Sequence, residues 1–289
     1  MSDLTPPRSL FSPARRMAAM LRSAQMTAPG NRFLIDLMGD EITARLEWVT
    51  RDFADVLILG HTPDGLRAHV IQRGMRVTSA GPTRCDVTCS EDALHFAPAS
   101  FDLVVAIGTL DSVNDLPGTL IQINRALRPD GLFMGSFVGA GSVPRLKAAM
   151  LAGDAAQGGG VAAHIHPQID VRAAGDLLQR ARFAMPVADS ERIDVRYADL
   201  MDLVRDLRGH GWSNVLADAP RTFGKASLDA ARQCFLQAAD PDGKTTERFE
   251  IIYMSGWAPS PDQPKPAERG SATASLATAL GQAAIPPRS

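Results

Sequence analysis

The sequence predicts an α/β protein built on a doubly wound, mostly parallel sheet, and three observations lead to this prediction. Segments with strand and helix patterns alternate at short spacing between residues 55 and 138. The run Phe101–Ile107 is almost continuously apolar, which is typical of a parallel strand buried on both faces. Apolar residues make up 45% of the 289-residue chain, which excludes a wholly disordered or fibrous protein.

Helices and strands can be placed in order along the first half of the chain. Apolar residues recur there either at helical spacing or in short runs bounded by glycine. Helices are predicted at residues 14–23, 32–49, 66–73 and 116–127. Strands are predicted at residues 56–59, 75–80, 85–89, 101–107 and 132–138, with a tight turn at 128–131.

The second half has a different organisation. A glycine-rich stretch at residues 153–163 is typical of a mobile loop, and the Pro-, Ala- and Ser-rich residues from Pro259 onward predict an extended or disordered tail. Helices are predicted at 171–182, 197–209 and 227–239, and strands near 191–196 and 247–257. We divide the chain into an N-terminal helical segment (1–50), a main domain (51–257) with a cap inserted at about 153–245, and a tail (258–289).

Charge and composition exclude several classes of function. The 30 Lys+Arg against 32 Asp+Glu residues give a net charge of −2, which argues against a nucleic-acid binder held by a basic field. No run of about 18 apolar residues occurs, so an integral membrane protein is not expected, although peripheral association stays open. The N-terminus lacks a secretory signal pattern, and three cysteines are too few for a disulfide framework, which predicts a cytoplasmic protein.

The first strand–turn–helix unit is the expected ligand site, because doubly wound sheets bind ligands beyond the carboxyl ends of their strands. The turn runs from Leu59 to Gly65 and contains a proline between its two glycines. A cofactor loop and an ordinary turn are equally compatible with this pattern. Glu91 and Asp92, after the third strand, are expected to face the same pocket, although a solvated turn fits them nearly as well.

Histidine and cysteine spacing predicts no metal site. His164 and His166 lie two positions apart in an extended segment, but no third ligand follows at a characteristic spacing. Cys85 and Cys89 lack the second pair that a structural zinc site needs. We interpret these residues as loop histidines and buried thiols.

Longer passages resemble a known family. F-D-L-V-V at 101–105 and L-R-P-D-G-L-F at 127–133 resemble class I S-adenosylmethionine-dependent methyltransferases, including the malonyl carrier-protein methyltransferase of biotin synthesis. More specific passages, spread over about residues 9–276, resemble mitochondrial complex I assembly factor 5 and its bacterial relatives. They are V-N-D-L-P at 113–117, H-I-H-P at 164–167, D-L-R-G-H-G-W-S-N at 206–214, I-Y-M-S-G-W at 252–257 and P-A-E-R-G-S-A at 266–272.

The resemblance implies a seven-stranded, Rossmann-like sheet with an antiparallel last strand near 247–257 and a helical cap. It also implies a bacterial protein with S-adenosylmethionine as cofactor and a role in maturing respiratory complex I, which in mitochondrial relatives is hydroxylation of a protein arginine. The implied cofactor residues are Leu59, Gly60, His61, Gly65, Ser90, Glu91, Asp92 and Thr109. The implied substrate or partner residues are His164, His166, Asn214, Trp257, Glu268 and Arg269. No catalytic residue is assigned.

The cofactor motifs depart from the family pattern. Where the family reads D-L-G-C-G-x-G, this chain has Ile58 for the acidic residue, and Thr62 and Asp64 for two glycines, so Cβ atoms face the expected ligand. Ser90 stands in the place of an adenine-binding aspartate, and Asp111-Ser112 replaces a His-Trp pair.

These departures leave three interpretations. The first is an enzyme that uses S-adenosylmethionine on a protein arginine or on a carrier-bound malonyl group, since methyl transfer needs alignment more than acid–base groups. Hydroxylation would need an oxidant and a site, such as bound iron, that activates it. His164, His166 and Asp170 form only a weak 2-His-1-carboxylate pattern for such a site. The second is a catalytically degenerate scaffold that keeps the fold for assembly. A dinucleotide-binding oxidoreductase, the third, is disfavoured because G-x-G-x-x-G is absent.

Overall fold

Seven strands form one sheet in the computed structural model, which describes residues 9–26, 30–158, 160–218 and 222–263. The strands are β1 (Asp55–Gly60), β2 (Arg76–Gly81), β3 (Val87–Thr88), β4 (Phe101–Ile107), β5 (Leu127–Val138), β6 (Ala184–Tyr197) and β7 (Thr245–Trp257). Their order across the sheet is β3-β2-β1-β4-β5-β7-β6. Pairs among β1 to β5 are parallel, whereas β7 is antiparallel to β5 and β6. The predicted doubly wound sheet with an antiparallel last strand is confirmed.

Helices cover both faces of this sheet. They are α1 (Pro13–Gln25), α2 (Phe33–Glu47), α3 (Asp64–Gln72), α4 (Leu116–Ala126), α5 (Pro144–Gln157), α6 (Val171–Arg180), α7 (Leu200–Gly209) and α8 (Lys225–Gln237). Helix starts follow from capping: the side chain of Asp115 accepts a hydrogen bond from the amide of Gly118, and Asp170 does the same for Ala173, both at 2.8 Å. None of the helices in the described ranges has both the length and the apolar character that a membrane span requires.

The core has two layers because side chains alternate across each buried strand. Val56 and Ile58 of β1 pack with α2, α3, α5, α7 and α8 on one face, whereas Leu57 and Leu59 pack with α4 and α6 on the other. All four side chains are fully buried. This two-sided burial explains why the central strands have continuous apolar sequences rather than an alternating pattern.

Two predictions differ from the structure. The sequence predicts no helix over α5, and this helix continues to Gln157, so the first five residues of the predicted glycine-rich loop at 153–163 are helical. Gly153 lies in this helix and packs closely against Phe223: a Cβ atom at this position would lie 2.4 Å from the phenyl ring. The glycine is therefore explained by close packing and does not indicate a loop. The predicted turn at 128–131 lies inside β5, where Asp130 takes a left-handed φ of 61°.

The interval predicted as a helical cap also supplies a strand of the sheet. β6 begins at Ala184, seven residues before the predicted strand, and pairs antiparallel with β7 over its whole length apart from one bulge. Its residues are mostly exposed or half-buried because it is an edge strand. Residues 153–245 therefore include α6, which packs on one face of the sheet, and the edge strand β6.

The N-terminal segment is tied to the carboxyl edge of the sheet. The amide of Ser12 donates to the carbonyl of Val215 at 2.8 Å, and the amide of Ala217 donates to the carbonyl of Leu10 at 2.8 Å. The amide of Phe11 donates to the side chain of Asn114 at 2.8 Å. These bonds hold α1 across the ends of β1 and β4. Contacts divide the chain into Met1–Pro259, which contains every element above, and Ser260–Ser289.

Candidate functional site

The ends of β1 and β4 meet where the cofactor is expected from the resemblance. Gly60 pairs with Ile107, and the amide of His61 donates to the carbonyl of Ile107 at 3.0 Å. Gly60 has a φ of +80°, and a Cβ atom there would come within 2.5 Å of the side chain of Thr109. Glycine is therefore required at this position by both conformation and close packing. We call residues 60–65 the β1 tip.

An arginine from α1 fills the space beside the β1 tip. The guanidinium of Arg16 forms a bidentate pair with the carboxylate of Glu91, at 2.6 and 2.8 Å. Its Nε donates to the hydroxyl of Ser112 at 3.0 Å, and its Nη2 donates to the hydroxyl of Thr109. Arg16 is 7% exposed and Glu91 is fully buried. These four residues, the Arg16 cluster, form a closed polar network in which the buried charges are paired and hydrogen-bonded.

The Arg16 cluster decides whether S-adenosylmethionine fits. The cavity left beside the β1 tip has a volume of about 10 Å³, which is close to the space of one water molecule. It is lined by Arg16, His61, Thr109 and Trp212, among others. The residues at the tip therefore do not fit the cofactor while Arg16 holds Glu91.

Two buried histidines support the tip in their neutral form. Burial lowers the pKa of His61 to about 3 and that of His210 to about 4. The ring of His210 accepts a hydrogen bond from the amide of Leu34 at 3.1 Å through Nε2, and its Nδ1 lies 2.5 Å from the carbonyl oxygen of Asp206. Nδ1 is therefore the protonated nitrogen, and His210 joins α2 to the end of α7.

The remaining residues implied as cofactor contacts pack in the core or in a helix, or form hydrogen bonds within the protein. Leu59 is fully buried in the core, and Gly65 lies in α3 near the carboxylate of Asp40. The hydroxyl of Ser90 accepts from the amide of Asp92 at 3.3 Å, and the carboxylate of Asp92 accepts from the amide of Asp115 at 2.8 Å. The structure therefore gathers Gly60, His61, Glu91 and Thr109 at one place. It turns Ser90 and Asp92 toward the start of α4 instead.

A larger cavity opens next to the tip, at the carboxyl edge of the sheet. Its volume is about 570 Å³, within the range of roughly 300–1,000 Å³ that small-molecule sites occupy. Its walls are mostly apolar, and three arginines lie at its edge. The wall residues include Val138, Val143, Leu146, Met150, Ile165, Val204, Leu207 and Phe249. The edge residues are Arg15, Arg22 and Arg208, and we call this space the arginine-rimmed cavity.

Two residues that line this cavity each have a buried polar atom without a hydrogen-bond partner. Oδ1 of Asp111 and Nε1 of Trp212 are both buried and unpaired among the described residues. Burial raises the pKa of Asp111, although Arg16 and His166 oppose the shift. The indole of Trp212 is stacked on the ring of His210, with centroids 4.7 Å apart. Nε1 of Trp212 lies toward Gly108, 3.6 Å from the place of a Cβ atom there, and Asp111 and Trp212 also line the small cavity beside the tip.

Three of the implied partner residues line this cavity and hold its loops. The amide nitrogen of the Asn214 side chain donates to the carbonyls of Ala163 and His164, at 2.8 and 2.9 Å. Nε2 of His164 lies 2.9 Å from Asp154, and Nε2 of His166 accepts from the amide of Val215 at 3.0 Å. These bonds join residues 162–168 to residues 212–216. The histidines therefore shape the cavity, and each has a ring nitrogen already bonded.

The other implied partner residues lie elsewhere. Trp257 pairs with Leu132 at the amino edge of the sheet, opposite the cavity. Glu268 and Arg269 lie outside the described residues. In the part of the chain that the structure describes, no three metal-ligating side chains come together. Asp170, considered above with the two histidines, caps α6 instead.

The sequence did not indicate Arg16, Asp111 or Trp212 as site residues. Arg16 was placed on a predicted basic helix, but its contact with Glu91 joins positions 75 residues apart. Trp212 belongs to the passage at 206–214 that resembles the assembly-factor family, which is the signal that was available. Asp111 was noted only as a departure from a His-Trp pair.

Comparison with solved structures supports the fold. The YcgJ protein of Bacillus subtilis matches with a TM-score of 0.53 and 12% identity, covering 78% of this chain and 99% of that protein. A methyltransferase-like protein of Bacillus halodurans matches with a TM-score of 0.51 and 12% identity, covering 76% and 98%. A family model described as a methyltransferase domain matches residues 68–135, which supports S-adenosylmethionine as the cofactor of this fold.

Comparison with curated sequences identifies the family. The mitochondrial arginine-hydroxylase NDUFAF5 of Danio rerio is 33% identical over 261 residues, which cover 85% of this chain and 81% of that protein. The human protein of the same name is 36% identical over 191 residues, which cover 66% of this chain and 55% of the human protein. A malonyl-[acyl-carrier protein] O-methyltransferase of Gallionella capsiferriformans is 29% identical over 182 residues. With its methyltransferase fold and this extended similarity, the chain belongs to the NDUFAF5 family.

Proposed function

We propose that this chain acts in the assembly of respiratory complex I by binding a segment of a partner protein in the arginine-rimmed cavity. The cavity carries this proposal, because two of the passages that resemble the assembly-factor family, at 164–167 and 206–214, form part of its wall. The relatives named arginine-hydroxylases support a protein arginine as the group that is recognised. The bacterial relatives support a bacterial cytoplasmic location.

The role of S-adenosylmethionine divides this proposal into two forms. The matching domain model favours an enzyme that modifies the partner protein. The Arg16 cluster favours a scaffold, the degenerate form of the fold, because it fills the β1 tip. Both forms bind the same partner, and they differ in whether the partner leaves with a changed mass.

Deletion of the gene in the source bacterium tests the proposal. We expect less assembled complex I on native gels, and full recovery when the wild-type chain is returned. Unchanged complex I in the deletion strain would contradict the proposal. Mass spectrometry of complex I subunits from both strains separates the two forms, because a methyl or hydroxyl group that depends on this chain identifies an enzyme.

A malonyl-carrier O-methyltransferase is the second candidate function, favoured by the bacterial relative of that name. It needs S-adenosylmethionine at the β1 tip, where Arg16 stands. Growth of the deletion strain decides this candidate, because such an enzyme serves biotin synthesis. A strain that grows only with added biotin would support it over the assembly role.

A further inference from the structure

Helix α1 turns polar residues inward and apolar residues outward. Arg16 and Ser23 are buried together with Ala19, at the helical spacing i, i+3 and i+7. Arg16 belongs to the Arg16 cluster, and the hydroxyl of Ser23 donates to the carbonyl of Gly209 at 2.5 Å. The inward face of α1 is therefore held largely by hydrogen bonds and by a buried ion pair.

The opposite face of α1 is apolar and exposed. Ala14, Met17, Ala18 and Leu21 recur at i, i+3, i+4 and i+7 and so share one side of the helix, which we call the outer face of α1. Met17 is 42% and Leu21 is 39% exposed, and Leu10, just before the helix, is 48% exposed. A helix on the surface of a globular protein normally has the reverse arrangement, with its apolar stripe against the core.

The charges beside the outer face are positive. No Asp or Glu occurs between residues 9 and 26, whereas α1 contains three arginines. Two of them, Arg15 and Arg22, lie three positions before and four positions after Ala18, and so follow one flank of the outer face. Neither is paired with a carboxylate in the ranges that the structure describes. The outer face is therefore an apolar stripe with guanidinium groups along one side.

This combination fits a lipid surface with anionic headgroups. A bilayer accepts a convex apolar helix without a preformed recess, and its headgroups supply the negative charge that the arginines lack. A second copy of α1 would bring guanidinium groups together without a carboxylate on either helix. Because α1 and the residue before it offer only three large apolar side chains, binding to a neutral bilayer should be weak and anionic lipid should be required.

We propose that the outer face of α1 binds an anionic lipid surface, with Met17 and Leu21 in the apolar boundary and Arg15 and Arg22 at the headgroups. The inward face stays on the protein, where its polar groups keep their partners. Arg15 and Arg22 also belong to the edge of the arginine-rimmed cavity, so docking brings the entrance of that cavity to the lipid surface. The inference goes beyond the proposed function, since it concerns where the chain works and not what its cavity binds.

Vesicle sedimentation with the full chain tests this inference. The probes are vesicles of phosphatidylglycerol and phosphatidylcholine in equal parts, and vesicles of phosphatidylcholine alone. We expect the anionic vesicles to bind at least about 10-fold more tightly, and we expect this binding to weaken when the ionic strength rises to about 1 M. Failure to bind anionic vesicles would overturn the inference and would leave the outer face to a protein partner.

Substitutions on the outer face test the apolar contribution. Met17→Gln with Leu21→Gln keeps helix-forming side chains and removes apolar area, so affinity for anionic vesicles should fall roughly 10-fold or more. The matched control, Ile121→Gln with Leu236→Gln, changes two comparably exposed side chains on α4 and α8 and should bind as the wild type does. Equal losses in the two double variants would overturn the assignment to α1.

A gain of affinity keeps the test independent of folding. Ala14→Trp adds a large aromatic side chain, of a kind that favours the boundary between headgroups and acyl chains, at an exposed position of the outer face. Affinity for anionic vesicles should rise about 3-fold or more. Unchanged or weaker binding would contradict contact between this face and the lipid.

Replacement of one arginine tests the electrostatic contribution. Arg22→Gln should lower the affinity for anionic vesicles about 5-fold and should make it less sensitive to salt. Arg180→Gln, at an exposed arginine that ends α6, should have no such effect. Equal affinities of Arg22→Gln and the wild type would overturn the role of the flank. These measurements do not involve complex I, so their failure and the failure of the proposed function are read separately.

Discussion

At the residue scale, the buried pair of Arg16 and Glu91 shows how a few departures from a motif change a site. Glu91 is one position after Ser90, which replaces the expected adenine-binding aspartate. Its carboxylate receives an arginine from α1 instead of a ligand, and Thr109 and Ser112 complete the network. Breaking such a pair costs about 3–5 kcal/mol when one charge is left buried alone. A variant that keeps only one of the two charges is therefore expected to be strongly destabilised.

Buried histidines make the fold sensitive to mild acid. The unfolded chain binds a proton at His210 near pH 6.5, whereas burial lowers the pKa of the folded chain to about 4. Stability from the neutral ring is therefore present above pH 6.5 and is lost as the pH falls toward 4, by about 1.4 kcal/mol per pH unit. His61 acts in the same direction, with a folded pKa of about 3. We expect the urea midpoint to fall between pH 7 and pH 5.

Substitution of His210 measures its share of this effect. In His210→Asn the midpoint should fall less steeply between the same two pH values, because only His61 keeps a strongly lowered pKa. His95→Asn, at an exposed position, serves as the control and should keep the wild-type slope. An unchanged slope in His210→Asn would contradict the assignment.

At the element scale, the sequence predicted most elements because their patterns are local. Phe101–Ile107 has the predicted bounds, and α4 and α6 differ from prediction by one or two residues at their ends. α5 was not predicted at all, and its last turns were taken for a loop because of Gly153 and the small residues around it, although Gly153 packs against Phe223. The N-terminal half of β6 was missed because Pro186 and a bulge between Ala184 and Val187 interrupt the strand pattern, which an edge strand tolerates.

The N-cap of α6 leads to a prediction about the free energy of unfolding. Asp170 accepts a hydrogen bond from the amide of Ala173, and this N-cap satisfies one of the free amides of the first turn. Asp170→Ala should lower the free energy of unfolding by about 1 kcal/mol. Asp176→Ala, an exposed position in the same helix, should have a much smaller effect. Equal losses in urea titrations of the two variants would contradict the cap.

At the scale of the whole molecule, the candidate site is made by segments far apart in sequence. The arginine-rimmed cavity uses α1, the end of β5, residues 164–168 and residues 204–214, so no single motif contains it. The sequence could indicate the sheet edge, because parallel strands place their carboxyl ends together, and it could indicate Glu91. It could not indicate that α1 crosses this edge, since the contacts of Arg15 and Arg16 depend on the bonds that join residues 10–12 to 215–217.

The closed tip makes cofactor affinity a property of the whole fold, because S-adenosylmethionine can occupy the tip only in molecules whose Arg16 has left Glu91. Apparent affinity is reduced by the fraction of open molecules, so any free-energy cost of separating the pair weakens binding. The double variant Arg16→Met with Glu91→Gln removes both charges together and leaves neither of them buried alone. We expect it to bind S-adenosylhomocysteine at least about 10-fold more tightly than the wild-type chain in calorimetric titration. Arg172→Met, an exposed arginine on α6, keeps the pair and should behave as wild type. Equal affinities for the double variant and the wild type would mean that Arg16 does not limit access to the tip.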